Sequence, residues 1–202
     1  MTAETWLAFS LFALVSSITP GPNNTMMLAS GVNFGFARSV PHMVGITVGF
    51  CFMILLMGLG LGEVFERFPV LYAVMRYAGG AYMLYLAWKI FRSGPASDAA
   101  QSGAAEVRPM GFTAAAAFQW INPKAWVMAL GAITTYLPAG HSLWQLIALT
   151  GVMAVINMPS TGSWALFGSS MRRYLQQPAF LRAFNTVAAL ALVASLYPLL
   201  TH

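Results

Sequence analysis

The residues best placed to do chemistry lie in a short segment, TPGPNN at 19–24, inside the first long apolar run. Proline removes a backbone N–H and clashes with the preceding helical turn, so the segment predicts an unwound or sharply bent helix. The freed carbonyls and amides, the Thr19 hydroxyl and the two asparagine amides could together bind a polar solute. A half-helix that begins after Pro22 would favour an anionic group such as a carboxylate at its N-terminus. The alternative is a structural kink that neighbouring helices satisfy.

A second polar interruption, Asn122-Pro123-Lys124, lies in the middle of the fourth apolar run, and Gln119 precedes it by about one turn. Lys124 is the one lysine that we expect near the middle of the bilayer. Its burial costs roughly 2.5–3.5 kcal/mol on insertion scales, so it requires a partner. A substrate carboxylate is one candidate. The carbonyls freed by the first interruption are the other, and they would make the role of Lys124 structural.

Other polar groups within the apolar runs are few. Asn157 precedes a proline in the fifth run, and it either completes a cavity wall or belongs to a proline kink. No Asp or Glu falls within a predicted span, so a carboxylate proton relay is not visible. If transport is coupled to protons, Lys124 or His42 would carry them, although His42 is first expected to be interfacial or packed. The lone Cys51 excludes a disulfide framework and a Cys-rich metal site.

The composition defines what must position these residues. The chain has 202 residues, 58% hydrophobic and 7% charged, whereas soluble domains carry about 25% charged residues. A bilayer, not water, must solvate such a surface. The basic residues separate apolar runs and form no patch with aromatic residues between them, which argues against nucleic-acid binding. We predict an all-α integral membrane protein whose six transmembrane helices lie near 5–34, 41–62, 69–91, 111–137, 143–169 and 183–200.

The two interruptions suggest an internal repeat, because Pro123 follows Pro20 by 103 residues and the neighbouring helices match at that offset. We therefore divide a single transmembrane domain, 1–202, into three-helix halves at 1–92 and 111–202, joined by a flexible linker at 93–110. Because three is odd, the second half would insert upside down relative to the first, as an inverted repeat with broken helices one and four. A five-helix arrangement with a re-entrant segment is the alternative.

Basic residues set the expected orientation. Most of them fall on one side of the predicted bundle, opposite Arg67: Arg38, Lys89, Arg92, Arg108, Arg172, Arg173 and Arg182. By the positive-inside rule this side is cytoplasmic, so the linker lies in the cytoplasm and both termini are periplasmic. HExxH, GxSxG and P-loop patterns are absent from the sequence, so we expect no catalytic residues, no metal site and no cofactor.

Three motifs carry a resemblance to a known family. TPGPNN at 19–24, GGAYMLYLAWKI at 79–90 and QWINPKAWV at 119–127, in this order, resemble the LysE/RhtB family of bacterial amino-acid exporters over nearly the whole chain. The resemblance implies an inner-membrane secondary exporter driven by protons. WALFG at 164–168 resembles the cysteine and O-acetylserine branch. Some relatives carry an acidic residue near the position of Asn157, and its absence here favours neutral substrates.

We therefore predict an antiporter-type exporter of small neutral amino acids that works by alternating access, with membrane lipid around it and a homodimer as one compatible assembly. Export of another solute such as a metal cation, a membrane enzyme and a non-transporting partner subunit are the rival hypotheses. The predicted substrate-binding residues are Thr19, Pro20, Gly21, Pro22, Asn23, Asn24, Gln119, Asn122, Pro123, Lys124 and Asn157.

Overall fold

The computed structural model of the protein describes residues 1–61, 69–93, 108–174 and 177–197, and this part of the chain contains helices and turns but no strand. Most of the predicted linker 93–110, the end of the last predicted helix and Arg67 lie outside the described residues. The helices are α1 Ala3–Ile18, α2 Pro22–Phe34, α3 Phe36–Leu56 with a π-helical turn Met57–Leu61, α4 Pro69–Phe91, α5 Phe112–Phe118 with a 3₁₀ turn Gln119–Ile121, α6 Pro123–Tyr136, α7 Leu143–Met171 and α8 Pro178–Ala194.

Both expected interruptions are present, and proline chemistry explains where each new helix starts. α1 ends at Ile18, Gly21 is extended with φ 173° and ψ 178°, and Pro22 opens α2. Pro123 opens α6 in the same way, after Asn122. Proline suits the first turn of a helix because the N–H that it lacks would have no intrahelical partner there. The local sequence therefore decides the position of both breaks.

Pro159 behaves differently from the prolines of the two breaks. Pro159 lies inside α7, which runs from Leu143 to Met171, so the helix continues through the polar stretch that begins at Asn157. The Ser160 hydroxyl donates to the Ile156 carbonyl at 2.7 Å, within the same stretch of helix. Flanking turns thus hold the helix together around an isolated proline, whereas two prolines around a glycine open it.

Two helices are long and apolar enough to cross a membrane by length and composition, namely Phe36–Leu61 and Leu143–Met171. Shorter apolar helices accompany them, at Ala3–Ile18, Phe112–Ile121 and Pro178–Ala194. Many large apolar side chains point outward, among them Val155, which is 74% exposed, and Val127, which is 71% exposed. Soluble monomers rarely expose contiguous apolar surface on this scale, so the outer faces suit contact with lipid.

The tightest helix contact joins α2 to α7. A Cβ on Gly31 would lie 2.2 Å from the Ala165 carbonyl oxygen, and one on Gly168 would lie 2.3 Å from the Leu28 carbonyl oxygen. The two backbones therefore touch, as small residues allow in membrane helix pairs. Elsewhere α3 packs against α5 and α7, and α4 packs against α8. This close packing places the N-terminus of α2 beside the polar middle of α7.

Candidate functional site

The two helix breaks meet around a small polar cavity. Its volume is about 20 Å³, room for about one water molecule but not for an amino acid. Most of the predicted site residues line it, while Thr19, Pro20, Pro22 and Pro123 lie in the breaks beside it. The lining residues are Ser16, Ser17, Gly21, Asn23, Asn24, Phe50, Gln119, Asn122, Lys124, Ala125, Met128, Asn157 and Thr161.

Lys124 reaches from the second break to the first. Its ammonium donates to the Thr19 carbonyl at 2.6 Å, to the Thr19 hydroxyl at 3.0 Å and to the Pro20 carbonyl at 3.3 Å. Gly21 makes this reach possible, because a Cβ there would lie 2.6 Å from Lys124 Cδ. The ammonium therefore supplies donors to two backbone carbonyls of the broken helix and to one hydroxyl. Of the two partners expected for Lys124, the freed carbonyls are the ones that it contacts here.

Other side chains complete the hydrogen bonding of the first break. The Asn24 amide nitrogen donates to the Ser17 and Thr19 carbonyls, both at 2.7 Å. The Trp164 indole N–H, on α7, donates to the Ile18 carbonyl at 3.0 Å. One acceptor stays open, since the buried Asn24 Oδ1 has no partner within the described residues. The kink is thus satisfied by its neighbours, and one buried oxygen remains for a solute or water.

An amide pair joins the two breaks on the opposite wall. The Asn23 amide nitrogen donates to Gln119 Oε1 at 2.8 Å, and the Gln119 amide nitrogen donates back to Asn23 Oδ1 at 3.2 Å. Gln119 also donates to the Ala115 carbonyl at 2.8 Å and is fully buried. Asn122 acts as N-cap of α6, accepting from the Lys124 backbone N–H at 3.2 Å. The two breaks therefore form one hydrogen-bonded unit.

Asn157 closes the cavity from the middle of α7. Its amide nitrogen donates to the Ser17 hydroxyl at 3.2 Å, and the Thr47 hydroxyl on α3 donates to Asn157 Oδ1 at 3.3 Å. Sequence reasoning missed Ser17 and Thr47. Ser17 directly precedes the first break, which was an available signal. Thr47 carried none, because a lone hydroxyl in an apolar helix commonly bonds its own backbone.

The electrostatics of the cavity are simple. Among the described residues that line it, Lys124 is the one ionisable side chain, and neither a carboxylate nor a histidine accompanies it. No group of three or more His, Cys, Asp or Glu side chains comes together within the described ranges. The wall offers hydroxyls, amides, carbonyls and one ammonium, a set that can recognise a small polar solute by hydrogen bonds.

A polar cavity between two interrupted helices, inside an apolar bundle, is the arrangement of a membrane translocator. The sequence comparisons agree with that class. The chain belongs to the LysE family, because the family model described as LysE type translocator matches residues 14–196. The resemblance inferred from the motifs is confirmed, and the protein is an inner-membrane transporter, not an enzyme.

Curated relatives extend the match to almost the full chain. Proteins named cysteine/O-acetylserine efflux protein, from Escherichia coli strain K12 and from Shigella sonnei strain Ss046, are each 31% identical over 194 residues, which is 96% of this chain and 96% of theirs. No solved structure matches the chain. The family and the membrane location are therefore inferred from sequence similarity.

Proposed function

We propose that this protein is a secondary-active exporter of small neutral amino acids and their derivatives, with cysteine and O-acetylserine as the first candidates. One observation carries the proposal: the ammonium of Lys124, from one break, is held by the backbone carbonyls of the other. The names of the relatives, cysteine/O-acetylserine efflux protein, support the same substrate class. The site would lie where the two breaks face each other.

The contacts of Lys124 suggest how a zwitterion would bind. Its ammonium bonds the Thr19 and Pro20 carbonyls, and the charged groups of an amino acid can replace both sides of these bonds. The substrate carboxylate would take the ammonium of Lys124, and the substrate ammonium would take the released carbonyls. Each charged group then gains a charge-assisted hydrogen bond while no buried partner is left unpaired. The open Asn24 Oδ1 offers one more acceptor to the substrate.

The charge of the wall favours a neutral substrate. A cationic side chain would lie near Lys124 with no carboxylate in the described lining to balance it. Desolvating two like charges in one small cavity is strongly unfavourable. A zwitterion adds no net charge, so its transfer into the site avoids this cost. Asn157, which has a neutral amide, fits the same selectivity.

The order of elements supports two related halves. Helices α1–α4 and α5–α8 each contain an interrupted helix, then a long helix, then one more helix. We take each interrupted helix as one span, which gives six spans arranged as an inverted repeat. In the present conformation the cavity has room for about one water molecule, and we infer that rocking of one half against the other opens it to each side in turn.

Orientation and coupling complete the proposal. The helix ends at or beside which Arg38, Lys89 and Arg172 lie would face the cytoplasm, with the linker 93–110, and both termini would be periplasmic. Protons are the proposed coupling ion. Reporter tags at the termini, assayed for accessibility in intact cells, test the orientation. Efflux that stays constant when a pH gradient is imposed across the membrane would exclude proton antiport.

Efflux from reconstituted vesicles tests the proposed site. Purified wild-type protein, Lys124→Ala and Asn23→Ala would be reconstituted in vesicles loaded with labelled O-acetylserine, serine or lysine. We expect the wild type to release the neutral amino acids faster than lysine. Loss of a charge-assisted hydrogen bond, about 1.5–3 kcal/mol, predicts that Lys124→Ala exports roughly 10–150-fold more slowly.

Thr134→Val is the matched control, because Thr134 lies on the same helix as Lys124 but faces outward and bonds only the Leu130 carbonyl. It should export at the wild-type rate. Equal activity in all the variants would refute the assigned site. Absence of efflux of any amino acid by the wild type would favour a non-transporting partner subunit instead.

A further inference from the structure

A second and much larger cavity lies beside α2, α4 and the N-terminus of α5, with a volume of about 530 Å³. It has ample room for an amino acid, unlike the cavity between the breaks. None of the residues proposed above for substrate binding lines it. The polar residues in its wall are Ser30, Asn33, His42, Tyr82, Tyr85, Lys89, Ser93 and Arg108.

His42, on α3, is the residue that points to a ligand. It is 2% exposed, it lines this cavity, and neither ring nitrogen has a hydrogen-bond partner within the described residues. A neutral imidazole offers one donor and one acceptor. Leaving each of them unpaired costs about 1–3 kcal/mol. The nearby Ser30 and Ser39 hydroxyls bond each other at 2.7 Å, and neither of them partners a ring nitrogen of His42. A molecule in the cavity can supply the missing partners.

The charges of the wall indicate what that molecule is. Lys89 and Arg108 are basic, and no acidic residue stands among the described residues of the lining. The Lys89 ammonium lies 5.7 Å from the centre of the Tyr85 ring, which keeps it at the cavity side of α4. Two positive charges favour a carboxylate, and the acceptor nitrogen of His42 suits an ammonium group. Together these groups match a small zwitterion.

The two cavities are consecutive along the bundle. Three helical segments contribute residues to both cavities. The residue of the smaller cavity and the residue of the larger one are Asn23 and Ser30 on α2, Phe50 and His42 on α3, and Gln119 and Ala114 on the α5 segment. At 1.5 Å per residue, these spacings separate the cavities by about 8–12 Å. Met26, which also lines the larger cavity, and Phe118 are 5% and 1% exposed and belong to one buried cluster. Along α2 and the α5 segment, these two residues fall between the paired positions of the two cavities. A solute that moves from the larger cavity to the smaller one would therefore have to pass these two apolar side chains.

We propose that the larger cavity is a loading site, which binds a small zwitterionic amino acid from the cytoplasm before it passes Met26 and Phe118. Lys89 and Arg108 hold the carboxylate, and His42 accepts a hydrogen bond from the ammonium group. This inference rests on the proposed function, because it names the stage that precedes binding between the breaks. It adds a second substrate site, which is formed by different residues and opens to the cytoplasmic side of the membrane.

Thiol protection tests the loading site directly. Ala114, partly buried in the cavity wall, is replaced by cysteine in a Cys51→Ser background, and an anionic, membrane-impermeant maleimide is added to each face of the vesicles. We expect labelling from the cytoplasmic face only, slowed at least threefold by O-acetylserine. Ser170→Cys, exposed at the end of α7 on the same predicted side and outside the cavity, should be labelled without protection.

A transport measurement gives an independent readout. His42→Gln and Lys89→Gln, two polar replacements, should each raise the KM for substrate on the cytoplasmic face about tenfold while kcat changes less than twofold. Protection of Ala114→Cys should persist when Lys124→Ala is added, since that residue belongs to the other cavity. Unchanged KM values together with absence of protection by any amino acid would overturn the loading site, while efflux by the wild type would leave the proposed function intact.

Two other outcomes are also decisive. Wild-type vesicles that export nothing, combined with amino-acid protection of Ala114→Cys, would refute the proposed function and still support an amino-acid site in the larger cavity. Protection that depends on phosphatidylglycerol in the vesicles and is indifferent to O-acetylserine would show that the cavity binds an anionic lipid headgroup. That result would overturn the loading site, because it assigns the same basic residues to a different ligand.

Discussion

Replacement of Gly21 by alanine tests whether the reach of Lys124 across the two breaks matters for export. The backbone at Gly21 is extended, with φ 173° and ψ 178°, so alanine can adopt it without strain. The new Cβ would lie 2.6 Å from Lys124 Cδ and 3.2 Å from its Nζ. Non-bonded carbon atoms need about 3.5–4.0 Å, so the lysine side chain must move by about 1 Å.

That displacement sets the size of the effect. The ammonium bonds to Thr19 and Pro20 at 2.6, 3.0 and 3.3 Å, and a shift of about 1 Å breaks one or two of these contacts. A charge-assisted hydrogen bond contributes about 1.5–3 kcal/mol. Loss of the contacts to Thr19 and Pro20 should lower the unfolding temperature of the purified protein. The same displacement moves the ammonium away from the position proposed for the substrate carboxylate, so we expect Gly21→Ala to lower kcat/KM for O-acetylserine efflux by roughly 10–150-fold, the loss of one such bond.

A double-mutant cycle isolates the cause. In a Lys124→Ala background the clash is gone, so adding Gly21→Ala should cost nothing further. Gly151→Ala is the matched control, since no atom lies within 4 Å of a Cβ at that helical position. It should keep full activity. If Gly21→Ala lowers stability but leaves efflux per folded carrier unchanged, Lys124 is structural and its assignment to the substrate is refuted.

Three further changes test other parts of the reasoning. Gly31→Ala should destabilise the protein by about 1–3 kcal/mol in chemical unfolding, because its Cβ would press on a carbonyl of α7; an unchanged midpoint would contradict the close helix packing. Trp164→Phe removes the donor to the Ile18 carbonyl and should lower stability by about 1–3 kcal/mol, which thermal unfolding measures. Wild-type stability would show that water replaces the indole. Asn157→Asp places a carboxylate in the cavity wall of Lys124, so competition assays should show lysine binding better relative to serine; unaltered selectivity would refute the charge argument for neutral substrates.

The sequence determined the features that depend on local chemistry and on composition. Two prolines around Gly21 open a helix wherever it lies, and Pro123 after Asn122 starts a new one, so both breaks were predictable. The scarcity of charge required a bilayer, because burial in lipid depends on the sum of side-chain hydrophobicities. The isolation of Lys124 in an apolar run marked it as needing a partner. These inferences require no knowledge of which helices touch.

The tertiary structure alone decided which groups meet. The sequence predicts that Lys124 bonds either freed carbonyls or a solute, but its contact with Thr19 depends on how α6 packs against α1. The burial of His42 beside an open cavity depends on where α3 lies against α2 and α5, which periodicity leaves undefined. The residues before Pro159 allowed either a cavity wall or a proline kink, and the packing of α7 against α1 and α3 brings Asn157 to the cavity wall. Local residue chemistry fixes where a chain bends, whereas partners across the bundle follow from packing between segments far apart in sequence.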